Sequence, residues 1–259
     1  ALRARNGGGA EPTIVVAQAG NVNSGAFDPI DEIADAVHDA GGWLHVDGAF
    51  GLWAAASPRF RHLAAGLDHA DSWTTDAHKW LNVPYDGGIA IVADSRWQRR
   101  SMAQTASYLL AADRERDSLD YVAEASRRAR GTTVYAAIRS LGRSGVAALV
   151  ERCCDLADRF AERLEGRPGI RVLNDVVLNQ VLVRFEVDGG DPALGDARTR
   201  EVVAAIQRDG TMWAGGTTWH GLAAMRISVS SWMTTAADVD RSVEAIVRIA
   251  GSVGGPAAG

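Results

Sequence analysis

The sequence predicts an α/β fold: a mostly parallel sheet with helices, followed by a small α+β unit. Three observations predict it. An apolar run at 13–17, a helical stretch opening near residue 28 and a second apolar run at 43–47 follow one another with short connections. That is the βαβ pattern, and it makes the two strands parallel. A strand-like run at 71–75 is followed closely by another at 87–93, close enough for an antiparallel return. The last third reads as strand, strand, helix, strand, helix.

The elements follow in order. Residues 13–17 (TIVVA) form a compact apolar run and should be a buried strand. Residues 18–26 are a polar turn containing Gly20 and Gly25. Asn21 and Asn23 either reach the crevice side of the sheet or bond their own backbone, as turn asparagines do. Asp28 is placed to cap a helix with Pro29 at its first position. Ile30, Ile33, Ala34 and Val37 recur at helical spacing, and Gly41-Gly42 ends the helix. The strand 43–47 ends in Asp47, with Gly48 and the small Ala49 behind it. A short helix is expected at 57–66, then the strand 71–75 leading into Asp76, His78 and Lys79. Residues 103–120 are polar, lack a core-facing period and are too long for a turn, so a functional or mobile loop is expected. Helices are expected at 126–142 and 146–164, the second amphipathic with Leu149, Cys153, Leu156 and Phe160 on one stripe. Strands at 170–173, 177–185 and 224–230 and helices at 198–209 and 236–249 complete the chain, with loops at 189–195 and 215–221. The expected units are 1–140 and 141–259.

Composition narrows the function. The hydrophobic fraction is 47% and the net charge −5, without a basic face for phosphate contacts, so no nucleic-acid partner is expected. No apolar run approaches the ~20 residues that span a bilayer, so no membrane partner is expected either. The two cysteines, Cys153 and Cys154, are adjacent and form no metal or disulfide spacing, the usage expected of a reducing cytoplasm.

The chemistry gathers in 73–82, WTTDAHKWLN. A lysine on a loop is ordinarily solvated. Lys79, however, follows a strand end beside His78, and partial burial of an amine favours the neutral form that attacks carbonyls. Asp47 ends the preceding strand, where α/β proteins aim side chains into a ligand crevice. A lysine holding an aldehyde as an imine and a carboxylate keeping a pyridine nitrogen protonated are the two groups that pyridoxal phosphate chemistry needs.

With these residues, the chain resembles the pyridoxal-phosphate-dependent group II amino acid decarboxylases, which include aromatic amino acid, glutamate and diaminobutyrate decarboxylases. The matching segments are AQAGNVNSGAFDP at 17–29, HVDGA at 45–49, DAHK at 76–79, SYL at 107–109 and SRRARG at 126–131. The resemblance implies fold type I, incomplete at the N-terminus because the family's Ser/Gly-rich phosphate cradle has no counterpart here. It implies pyridoxal 5'-phosphate on Lys79, with Asp47, Ala49, Asp76, His78 and Asn21 around it. It makes Tyr108 a proton donor on a closing loop and Arg226 the group that holds a substrate carboxylate. A structural salt bridge is the other reading of Arg226, and His220 reads as a loop residue. An amino acid substrate and a homodimer, or a complementary N-terminal chain, are the partners it implies. Other reactions of the same cofactor, or a non-catalytic half of an assembly, are the alternatives.

Overall fold

The computed structural model describes residues 12–103, 116–124 and 126–253. Strand β1 (Ile14–Gln18), helix α1 (Ile30–Asp39), β2 (Trp43–Asp47), β3 (Ser72–Asp76) and β4 (Gly88–Val92) build the first sheet in the order β1-β2-β3-β4. Its first three strands are parallel, with Gln18 beside Asp47 and Asp47 beside Thr74; β4 returns antiparallel, with Gly88 beside Asp76. Ala17, Leu44 and Val46 are buried in one cluster with Ile30, Ala34 and Val37 of α1, as the helical spacing predicts. On the other face Ile14 and Val16 stay 69% and 65% exposed. Parallel sheets are ordinarily covered on both sides, so this face is open among the described residues.

Two local expectations in this half are corrected. Asp28 does not cap α1: its carboxylate accepts the Gln18 N–H (2.7 Å), and the helix begins at Ile30 with no side-chain cap. Residues 57–66 do not form one helix. Short 3₁₀ turns stand at Gly51–Ala56, Arg61–Ala64 and Leu67–His69. Ser57 Oγ accepts the backbone N–H groups of Arg59 and Phe60, and such local bonds compete with helix formation.

Helix α2 (Ala77–Trp80) is a single turn off β3, and α3 (Ser95–Met102), an element the sequence reading lacks, is capped by Asp94. The two helices expected at 126–142 and 146–164 run together as α4 (Arg130–Leu164), broken at Gly142, whose φ is 64°. Beyond it lies an antiparallel sheet in the order β5-β6-β8-β7, built from β5 (Ile170–Val172), β6 (Gln180–Phe185), β7 (Gly215–Trp219) and β8 (Leu222–Ser228). Helix α5 (Pro192–Asp209) packs on it, and α6 (Ala236–Ser252) packs against α4 and α5.

The expected loop at 215–221 is instead a hairpin. His220 (φ 48°) and Gly221 (φ 81°) make the two-residue turn between β7 and β8, the left-handed pair that matches strand twist. Helix α5 starts six residues earlier than expected, because Asp191 accepts the Ala193 N–H with Pro192 at the first helical position. Phe50, Ala54 and Trp80 share one buried cluster with Cys153, Phe160, Leu178, Phe185, Met225 and Ile246, so both sheets meet in a common core.

Candidate active site

Parallel strands ending side by side leave a crevice beyond their carboxyl ends. Here β1, β2 and β3 end at Gln18, Asp47 and Asp76, and the register puts Gln18, Asp47, Thr74 and Asp76 on one face. Asp47 Oδ1 accepts the Ala49 N–H (3.1 Å), and among the described residues Oδ2 takes no hydrogen bond. The loops behind β1 and β2 cross in close contact: a Cβ on Gly51 would lie 2.4 Å from the Ala19 carbonyl, and one on Gly20 2.5 Å from the Gly51 nitrogen. Glycine at both positions lets the backbones touch.

Lys79 comes one helical turn after β3. Its Nζ lies 2.9 Å from Asp76 Oδ2 and 4.5 Å above the Phe50 ring, with the side chain 29% exposed. His78 Nε2 approaches the same carboxylate oxygen at 3.9 Å, while its ring stacks at 4.3 Å on Tyr85. His78 Nδ1 is buried without a hydrogen-bond partner. A half-buried amine between a carboxylate and an aromatic face can attack a carbonyl once deprotonated. Lys79 is also the only lysine of the chain; the other 26 of its 27 basic residues are arginine.

The remaining expected residues are spread along the seam between the sheets. Asn21 serves its own turn: Oδ1 accepts the Asn23 and Ser24 N–H groups, and Nδ2 donates to Gln18 Oε1 (2.7 Å). Asn23 Oδ1 accepts the Thr217 hydroxyl across the seam (3.0 Å). Arg226, between buried Met225 and Ile227, turns the other way and donates from Nη1 to the Val22 carbonyl (3.0 Å). It makes no salt bridge among the described residues. Arg128 and Arg130 grip the 85–86 loop beside His78: Arg128 donates to the Tyr85 carbonyl and Arg130 pairs with Asp86, whose carboxyl it holds down at about 2. Tyr108 lies outside the described residues. The described residues hold no cluster of three or more potential metal ligands, and no helix among them is long and apolar enough to cross a membrane.

Sequence reasoning missed Phe50, Tyr85 and Asn82. Phe50 and Tyr85 reach the site only through folded loops. Asn82 is one of only two non-glycine residues with positive φ among those described, a conformation that Asn tolerates and that only the folded chain shows.

Comparison with known proteins identifies the family. Residues 1–187 match the model of the pyridoxal-dependent decarboxylase conserved domain. L-2,4-diaminobutyrate decarboxylase of Rhizobium meliloti is 32% identical over 93% of this chain and 49% of its own length. A 4-hydroxyphenylacetaldehyde synthase of Rhodiola rosea is 26% identical over 98% of this chain and 52% of its own. The crystal structure of Oryza sativa TDC with PLP and tryptamine superposes with a TM-score of 0.86 at 25% identity, over 93% of this chain and 51% of that one. The chain thus spans about half the length of the curated relatives it matches. With the family model covering well over half of its residues, and the fold matching a solved decarboxylase relative, the chain belongs to the pyridoxal-dependent decarboxylase family.

Proposed function

We propose that this chain takes part in the pyridoxal-phosphate-dependent decarboxylation of an L-amino acid to its amine and carbon dioxide, with Lys79 as the residue that holds the cofactor. The observation that carries this reading is the half-buried Lys79 amine one turn beyond β3, beside a parallel strand that ends in Asp47. The residues present fit such a cofactor. Asp47 has a carboxylate oxygen to spare for a protonated ring nitrogen, and Ala49, small enough to lie against a flat ring, follows two residues on. When bound, pyridoxal phosphate supplies an electron sink for the bond that breaks at the substrate's α-carbon.

The chain's own residues have separate tasks. Lys79 holds the cofactor through Nζ. Asp76 keeps that amine in place from 2.9 Å, and the Phe50 ring, 4.5 Å away, favours its position by a cation–π contact. His78, braced against Tyr85, presents Nε2 to the crevice as a hydrogen-bonding group for cofactor or substrate. Arg226 uses one guanidinium nitrogen on Val22 and has others to spare for a substrate carboxylate. Tyr108 donates the proton from Oη to the α-carbon that loses carbon dioxide. We read residues 1–140 as part of the cofactor-binding unit and 141–259 as the small C-terminal unit, working in the cytoplasm as a homodimer or with a complementary chain.

A second reading has specific support: the match to the Rhodiola rosea aldehyde-forming enzyme covers 98% of this chain. Product analysis separates the two, since an amine supports decarboxylation and an aldehyde with peroxide overturns it. Borohydride reduction in the presence of pyridoxal phosphate tests the lysine. The expected result is a fixed cofactor on the peptide holding Lys79, lost in Lys79→Ala. Wild-type protein that fixes no cofactor on that peptide, or fixes it only at the N-terminal amine, would overturn the assignment.

A further inference from the structure

Asn82 sits two residues past α2 with φ 51°, and both ends of its side-chain amide are in use. Nδ2 donates to the carbonyls of Lys79 (2.8 Å) and Trp80 (2.9 Å), which have no helical partner at the end of a one-turn helix. The same nitrogen also reaches the Ser230 carbonyl (2.8 Å), its two hydrogens being shared among the three acceptors, and Oδ1 accepts the Trp232 N–H (3.0 Å). The far segment is itself anchored, because Arg152 of α4 donates to the Trp232 carbonyl (3.1 Å). One amide therefore joins the backbone of the lysine to the segment after β8, 148 to 150 residues away.

We infer that Asn82 is the positioning residue of Lys79: it fixes the lysine backbone against the 230–232 segment, and so sets where Nζ stands between Asp76 and the Phe50 ring. This rests on the reading of Lys79 as the cofactor amine. The physical argument is one of leverage at short range. A four-residue helix has little stiffness of its own, since nucleating a turn is unfavourable. Its last carbonyls face a fixed donor only because Asn82 holds the left-handed conformation, which asparagine adopts at small cost. A long side chain then starts from a fixed Cα. Without the clamp, Nζ is free to leave both Asp76 and the ring.

The single lysine makes the test direct. Slow acylation of the intact chain with an amine-reactive ester, followed by cleavage at arginine, reports on Lys79 alone in peptide 62–96, and the N-terminal amine falls in another peptide. Asn82→Gly allows the positive φ but removes the clamp. Asn82→Asp keeps the shape but turns an acceptor toward three carbonyls. Both are expected to speed Lys79 acylation roughly fivefold, the factor that one net hydrogen bond represents. Asn82→Ser, with one short donor, should fall between them and the wild type, and it serves if the glycine variant does not fold. Folded variants that melt lower but acylate at the wild-type rate would overturn the inference and leave Asn82 a structural cap. In parallel, the amount of pyridoxal phosphate fixed by borohydride should drop in the variants. If the wild type itself fixes none, the function proposed above fails, and acylation, which needs no cofactor, still decides the role of Asn82.

Discussion

A carboxylate held by a guanidinium takes up a proton only in strong acid, and Asp86 is the case nearest the site. Arg130 lowers its carboxyl to about 2, mainly through their hydrogen bonds. A carboxyl depressed in the folded state stabilises the fold above its unfolded value of about 3.9, and that contribution fades as pH falls toward the folded value. The melting temperature of the wild type should therefore fall more steeply between about pH 4 and pH 2 than that of Asp86→Asn. Equal slopes would show that the pair contributes nothing. The positions of Asp47 and Lys79 were legible in the sequence because Asp47 ends a short, strongly patterned strand and Lys79 follows another by one turn, and strand ends aim at the crevice. Phe50, Tyr85 and Asn82 were not. Each meets the lysine turn through loop geometry, and Asn82 reaches a partner some 150 residues away.

Elements were legible where their pattern was local and apolar. Strands β1, β2 and β3 lie within a residue of expectation, and the antiparallel return of β4 was foreseen from the short connection. Strand β7 was missed because Gly215-Gly216-Thr217-Thr218 has no alternation; its pairing with β8 makes it a strand. The Asp-Pro signal was placed at 28–29 and appears instead at 191–192, because Asp28 had a stronger claim on it from the end of β1. Two expectations belong at this scale. The stripe of α4 buries both thiols, and burial pushes Cys153 up to about 11 and Cys154 higher still. Native protein at pH 8 should leave both unmodified by a disulfide reagent, and denaturant should expose two equivalents. At the crossing of the β1 and β2 loops, Gly51→Ala drives a methyl into backbone that has nowhere to go. It should cost about 3 kcal/mol, and with it about 6–12 °C of melting temperature measured by calorimetry.

For the whole molecule, the two sheets do not stand apart. The shared core, the Asn82 clamp, and the bonds from Arg226, Thr217 and Asn174 to residues 22–24 join them along one seam. Unfolding should accordingly be one transition, with near-ultraviolet and far-ultraviolet dichroism melting together. Separate midpoints would mean that the seam is weak. One feature of α4 bears on this unity. Gly142 bends the helix where nothing lies within 4 Å of its missing side chain, so the bend is set by backbone angles and not by crowding. Its ψ of −179° puts it in a positive-φ region that is essentially glycine's alone, where an L-residue costs roughly 1–3 kcal/mol. Replacing it would favour a straight rod, swinging Arg128 and Arg130 off the loop that braces the histidine, and a change of one unremarkable residue on the outside would be felt as a misaligned imidazole some sixty positions earlier in the chain.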